Sequence, residues 1–200
     1  PNGAGKTTTM RILTTFQHPS EGTARVYGHR PGHHHCIAYV PQRSQIDWSF
    51  PATVEDVVMM GRVGQIGLFR WPRRQDWDWV KTSLERVNAL HLAKKQIGEL
   101  SGVQQQRIFI ARALAQEAEL LLMDEPTSGL PTSETERIKE LIKKISRQLT
   151  VVVIEHDMDI VLTISDIIVV LHQGKVIAQG PPEEIKANEE VQEAYLGGID

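Results

Sequence analysis

The chain has 200 residues, 40% hydrophobic and 24% charged, the balance of a globular chain that buries about 70% of its unfolded surface. A formal net charge of -3 offers no excess of Lys and Arg for a nucleic-acid partner, and the single cysteine, Cys36, excludes an internal disulfide and a paired-cysteine zinc site. No apolar run reaches the roughly 20 residues of a spanning helix and no basic-then-apolar leader opens the sequence, so the expectation is a cytosolic protein that meets a membrane only through a partner.

The sequence opens on PNGAGKTT, Pro1 to Thr8, without the apolar strand from which such a loop hangs, and position 1 therefore reads as a truncation. A helix is predicted from Gly5 or Lys6 to about Phe16, then a turn over His18 to Gly22 and a strand-like TARVYG segment. IAYVPQ reads as a short strand ending at Gln42. Thr53 to Arg62, TVEDVVMMGR, starts with a Thr-x-x-Asp pattern that caps a helix, and Trp77 to Leu92 reads as another, with GQIGLFRWPRR between them as a loop. Ser101 caps a long helix through Ala115, with Ile108, Ala111 and Leu114 on one face. LLLMD, ending at Asp124, and TVVVIEH, ending at His156, are continuous apolar runs of the kind buried on both faces of a parallel sheet. A helix from about Ser133 to Arg147 separates them, which makes a βαβ unit. The tail predicts a hairpin around Gln173-Gly174 and a short helix after Pro181-Pro182.

PNGAGKT satisfies G-x-x-x-x-G-K-[ST] at every position except the first Gly, which would precede Pro1. In such a loop the backbone around Asn2, Gly3, Ala4 and Gly5 and the N-terminus of the following helix face phosphate oxygens. Lys6 reaches the β- and γ-phosphates, Thr7 supplies a hydroxyl to Mg²⁺, and Thr8 joins them. The plainer reading is a Gly-rich turn before a helix, which the spacing of Gly3, Gly5, Lys6 and Thr7 disfavours. In LLLMDEP a buried strand delivers Asp124 to a magnesium shell, and Glu125 beside it can orient or deprotonate an attacking water. Alone this is a common strand end; downstream of the phosphate loop it becomes specific. The triplet His33-His34-His35 points in successive directions and reads as a solvated loop rather than a metal site. Trp48, Trp71, Trp77 and Trp79 read as packing or interface residues.

LSGVQQQR, Leu100 to Arg107, resembles the LSGGQ signature of ABC ATPases, and the resemblance covers essentially the whole chain. It implies an α/β fold: a P-loop NTPase core of the ABC ATPase type, with a RecA-like core at 1–45 and 116–200 and a helical subdomain inserted at about 46–115. It implies that the chain binds ATP and Mg²⁺ and hydrolyses ATP to power a membrane transporter. Gln42 matches the Q-loop glutamine that senses Mg²⁺ with Thr7 and Asp124, Glu125 the catalytic base, and His156 the switch histidine at the γ-phosphate. Ser101, Gly102 and Gln104 match residues that contact the nucleotide of a second subunit. The implied partners are that second ATP-binding subunit, identical or not, transmembrane permease subunits and, for an importer, a substrate-binding protein. The implied location is the cytoplasmic face of the membrane.

YVPQRSQIDWSFPATVEDVVMMGRVGQIG resembles the ATPases of manganese and zinc importers, whereas VVVIEHDM and EAYLGG are similar to those of branched-chain amino acid or urea importers and PNGAGKTTTMRILTT to drug-exporter ATPases. Three departures stand out. The strand and first Gly before Pro1 are absent, Val103 replaces the second glycine of the signature, and Pro131 stands where S-G-L-D has its Asp. The expectation is that the methyls of Val103 obstruct the approach of the partner's γ-phosphate. Two other readings follow: a catalytically impaired nucleotide-binding module, and a non-transport ABC ATPase.

Overall fold

The structure, a computed structural model, describes residues 6–14, 17–28, 30, 37–43, 46, 50–67 and 70–196. Two units divide the chain, one made of residues 1–33 and 154–200, the other of residues 34–153. In the first, helix α1 spans Lys6–Leu13. Phe16, the predicted helix end, lies outside the described residues. TARVYG does not form the predicted strand: only Val26 bridges, and Tyr27 (φ 50°) and Gly28 (φ 81°) turn the backbone into the left-handed region, which breaks an extended run.

The second unit runs in the order β1 (Ile37–Val40), α2 (Val54–Met59), α3 (Val63–Ile66), α4 (Arg74–Arg86), α5 (Gly102–Ala115), β2 (Leu120–Asp124), α6 (Thr132–Ser146) and all but the last residue of β3 (Thr150–Ile154). Short 3-10 turns lie at Met60–Arg62, Leu90–Leu92 and Ile97–Glu99. The predicted capping box at Thr53 is present: its Oγ1 accepts from the Asp56 N–H at 3.3 Å, and Asp56 Oδ2 accepts from the Thr53 N–H at 3.0 Å. Helix α4 starts before Trp77 and stops well before Leu92. Asn88 at φ 55° terminates it, a conformation that Asn tolerates better than most residues.

β1 and β2 are parallel in the register Ile37↔Leu120 to Val40↔Met123, and the described sheet has the order β1-β2-β3. As the central strand, β2 is buried along its whole length, as expected. β3 is not buried on both faces: Thr150 and Val152 are exposed, because an apolar run records hydrophobicity and not the number of layers that cover it. The other flank of β1 is met by α5. Arg112 Nη2 donates to the Tyr39 carbonyl at 3.2 Å and Gln116 Nε2 to the Ile37 carbonyl at 3.0 Å. These carbonyls are two residues apart, so they point to one side of the strand, and side-chain donors satisfy them where a further strand would.

α2, α4 and α5 pack on one another. Gly61, in the turn Met60–Arg62, permits a close approach to α5, since a Cβ there would lie 2.2 Å from the Arg112 carbonyl oxygen. Next to it Arg62 is buried. Its Nε lies 3.3 Å from Asp76 Oδ1, its Nη1 donates to the Ala115 carbonyl at 2.9 Å and pairs with Glu117, and its Cζ stands 5.6 Å from the centroid of Trp79.

The C-terminal part of the first unit holds α7 (Met158–Ile164), β4 (Ile168–His172), β5 (Lys175–Gly180), α8 (Pro182–Ala187) and α9 (Glu189–Leu196). Helix α7 lacks a sequence-level expectation. Asp157 caps it, its Oδ1 accepting from the N–H groups of Asp159 at 2.9 Å and Ile160 at 3.3 Å. The hairpin β4–β5 turns on Gln173 (φ 46°) and Gly174 (φ 78°), the paired positive angles of a two-residue type I′ turn. Ile168, Val170, Ile185 and Val191 form its core.

Candidate functional site

Because β1 and β2 run parallel and in register, both deliver their following residues to the same end of the sheet, where α/β folds bind ligands. β1 itself ends at Val40, so Gln42 lies two residues beyond the strand that was expected to carry it. There Gln42 Nε2 donates to Glu125 Oε2 at 2.8 Å, and one step back the Tyr39 hydroxyl donates to Asp124 Oδ2 at 3.3 Å. Asp124 is buried, Glu125 half-buried. Glu125 has φ 45°, a left-handed conformation that costs a non-glycine residue about 1–2 kcal/mol and is common where function dictates side-chain direction. The turn after it is closed by hydrogen bonds from the Ser128 N–H to the Glu125 carbonyl at 3.1 Å and from the Leu130 N–H to the Thr127 carbonyl at 3.2 Å. Pro131 then occupies the N-cap of α6, accepting at its carbonyl from the N–H groups of Glu134 and Thr135, both at 2.9 Å.

The signature segment builds the start of α5. Ser101 is the N-cap: its Oγ accepts from the Gln104 N–H at 3.4 Å, while Gln104 Oε1 accepts from the Ser101 N–H at 3.0 Å. Gln104 is thus engaged in the cap. Val103 is only 4% exposed. Its methyls are covered by the chain's own atoms and belong to the core face of α5, so the expectation that they obstruct an incoming phosphate is corrected. Arg43, absent from the motif reading, donates from Nε and Nη2 to Gln105 Oε1 at 3.2 and 3.0 Å. Arg112 is half-buried, its Cζ 4.8 Å from the centroid of the Phe109 ring, and burial lowers its pKa below the ordinary arginine value.

Of the remaining expected site residues, Lys6 opens α1, Thr8 is exposed on it and Thr7 lies between them in the helix. Asn2, Gly3, Ala4 and Gly5 lie outside the described residues, as do His33 to His35, Cys36 and Trp48. His156 is exposed and sits past the end of β3, which stops at Ile154 rather than carrying on to the histidine. Lys6, Thr7, Thr8 and His156 belong to the unit 1–33 and 154–200, whereas Gln42, Ser101, Gly102, Gln104, Asp124 and Glu125 belong to 34–153. Trp71 is 89% exposed and Trp77 is also exposed, while Trp79 stacks on Arg62. Tyr39, Arg43 and Gln105 were missed by motif reading, and only the alternation of IAYV hinted that Tyr39 points away from buried Ala38 and Val40.

The donor set at this sheet end is two carboxylates and a carboxamide, hard oxygen ligands that suit Mg²⁺ rather than a softer metal. A parallel-sheet end with a buried Asp, an adjacent Glu and a glutamine bonded to it, following a phosphate loop in sequence, defines an ATPase of the P-loop class. The sequence profile of the ABC transporter family matches residues 1–128, and the chain belongs to that family. It is an ATP-binding and ATP-hydrolysing subunit of an ABC membrane transporter. A profile described as a branched-chain amino acid ATP-binding cassette transporter matches residues 175–200.

Among similar proteins, the manganese transport system ATP-binding protein MntB of Bacillus subtilis is 40% identical over 201 residues, covering 100% of this chain and 80% of its own length. The zinc transport system ATP-binding protein TroB of Treponema pallidum is 40% identical over 202 residues, covering 100% of this chain and 75% of the relative. Among solved structures, an inward-facing transporter assigned to the metal-chelate type superimposes with a TM-score of 0.87 at 32% identity, over 98% of this chain and 76% of that one. An ATP-binding cassette of an ABC transporter in its ADP conformation, MJ1267, gives a TM-score of 0.82 at 26% identity, over 98% of this chain and 85% of that one.

Proposed function

We propose that this ATPase powers the uptake of a divalent transition-metal ion, manganese or zinc. The observation that supports this reading is identity of about two residues in five with manganese and zinc transport ATP-binding proteins along the whole chain, at 40% for each of the two relatives named. The transported metal is cargo for membrane subunits, and this chain supplies the work. Its partners in this reading are permease subunits, a second ATP-binding subunit and a substrate-binding protein. It docks on the cytoplasmic side, and no helix among the described residues is long and apolar enough to cross a membrane itself.

Within the nucleotide site, the backbone around Asn2 to Gly5 and the side chains of Lys6, Thr7 and Thr8 hold the phosphates, with Thr7, Gln42 and Asp124 as ligands of Mg²⁺. Mg²⁺ bound there supplies positive charge to the phosphate oxygens. Glu125, held by Gln42, orients the attacking water and accepts its proton. His156 donates a hydrogen bond to the γ-phosphate, and Ser101, Gly102 and Gln104 meet the nucleotide of the second subunit. The segment 46–115 acts as the helical subdomain and 1–45 with 116–200 as the nucleotide core.

The test is uptake into vesicles containing the full-length protein with its membrane subunits and binding protein, loaded with ATP. ATP-dependent accumulation of Mn²⁺ or Zn²⁺, abolished by Lys6→Ala, is expected. The profile match at 175–200 favours a second reading, branched-chain amino acid transport. ATP-dependent leucine uptake without metal uptake would replace the first reading by the second.

A further inference from the structure

We propose that Arg43 is a positioning residue that ties the first turn of α5, with Ser101 and Gly102, to Gln42. The inference rests on the nucleotide-site reading above. Arg43 follows Gln42 directly, and the Gln42 side chain is bonded to Glu125 at 2.8 Å. From that point Arg43 reaches across to the signature helix, donating from Nε at 3.2 Å and Nη2 at 3.0 Å to one oxygen, Oε1 of Gln105. Gln105 is buried and held from behind, since its own Nε2 donates to the Ile97 carbonyl at 3.2 Å. The acceptor therefore cannot swing with the arginine independently of the helix.

The guanidinium also lies against Gly102. A Cβ at that position would stand 2.9 Å from Arg43 Nη1 and 3.0 Å from Cζ, so glycine is what lets the cation approach the helix start. A forked pair of bonds on one side and a flat contact on the other hold the first turn of α5 in orientation as well as in distance. Helix stability does not account for the arrangement. Gly102 is the first residue of a 14-residue helix, whose N-terminus is its positive end, and a cation there is electrostatically unfavourable.

The consequence is mechanical. When ligand binding moves Gln42 relative to Glu125, Arg43 either carries Gln105 and Gly102 with it or gives up two hydrogen bonds to a buried amide. The first course makes the direction of the exposed Ser101 depend on the state of Gln42 in the same subunit. Ser101 would then face the second subunit correctly only when its own site is filled.

The test uses the full-length protein assembled with its membrane subunits, comparing wild type, Arg43→Ala and Arg43→Lys. Arg43→Ala should lower kcat for ATP by about 10- to 100-fold, the scale of a misplacement of about 1 Å, while affinity for a fluorescent ATP analogue changes by less than about twofold. Arg43→Lys should recover only part of the rate, because an ammonium cannot reproduce the fork. Hydrogen exchange separates positioning from simple stability. Adding a non-hydrolysable ATP analogue should change exchange at 102–106 and at 120–125 in the wild type, and in Arg43→Ala only at 120–125. If Arg43→Ala does not accumulate as folded protein, Arg43→Met, which keeps the aliphatic stem, serves for the same comparison. An unchanged kcat, or a nucleotide response at 102–106 that survives the loss of Arg43, overturns the coupling. A wild type that shows no response to nucleotide anywhere overturns the site reading, and the coupling falls with it.

Discussion

Gln42 and Glu125, 83 positions apart in the chain, meet through one hydrogen bond of 2.8 Å from the amide Nε2 to the carboxylate Oε2. The register of β1 on β2 produces this meeting. Val40 is paired with Met123 at the end of the ladder, and two further residues of each chain segment, beyond β1 and at the end of β2, bring Gln42 to Glu125. The bond holds one oxygen of the carboxylate that we propose as the base.

Glu125→Gln should keep nucleotide affinity within about twofold and reduce turnover by about 10²–10⁴, because the amide preserves the acceptor for Gln42 but cannot take a proton. ATP hydrolysis measured beside equilibrium binding decides it. Near-normal turnover in this variant would remove Glu125 from the role of base.

Val103→Gly should destabilise the protein rather than accelerate it. The side chain is buried in α5, so the change combines a small cavity with glycine in a helix, and about 2–3 kcal/mol of stability should be lost, with Val103→Ala losing about half as much. Denaturant unfolding of the three proteins measures this. Equal midpoints for Val, Ala and Gly would mean that the side chain is not part of the core.

Gly61→Ala meets backbone rather than a flexible side chain, since the added Cβ would lie 2.2 Å from the Arg112 carbonyl oxygen. The turn at Met60–Arg62 and α5 would have to separate, at a cost of about 1–3 kcal/mol or more. Thermal unfolding should show a clear drop in midpoint. The far more exposed Gly67→Ala is not a suitable control, because its φ of 85° carries a strain of its own.

Arg62→Ala leaves Asp76 buried without its cation and removes the donor to Ala115, so a loss of about 3–5 kcal/mol is expected. Arg62→Lys should recover little, as one ammonium cannot serve Asp76, Glu117 and the carbonyl while stacking on Trp79. Full recovery by lysine, read from denaturant midpoints, would show that charge alone matters here.

Local chemistry made much of this protein legible before any coordinates. The capping boxes at Thr53 and Ser101, the turn at Gln173-Gly174, the apolar run of β2 and the spacing of Gly3, Gly5, Lys6 and Thr7 each depend on residues within a few positions of one another, and short-range sterics and hydrogen bonding decide them. What required the tertiary structure are relations across long chain separations. Whether β3 is covered, which way Val103 faces, and how Arg43 finds Gln105 depend on how strands and helices stack, and no local pattern encodes that. Val103 carries the lesson most directly. A motif position reads as a surface contact, yet the helix phase set by packing α5 on α2 and α4 turns the side chain inward, because burying its methyls is favourable wherever the neighbouring layer leaves room.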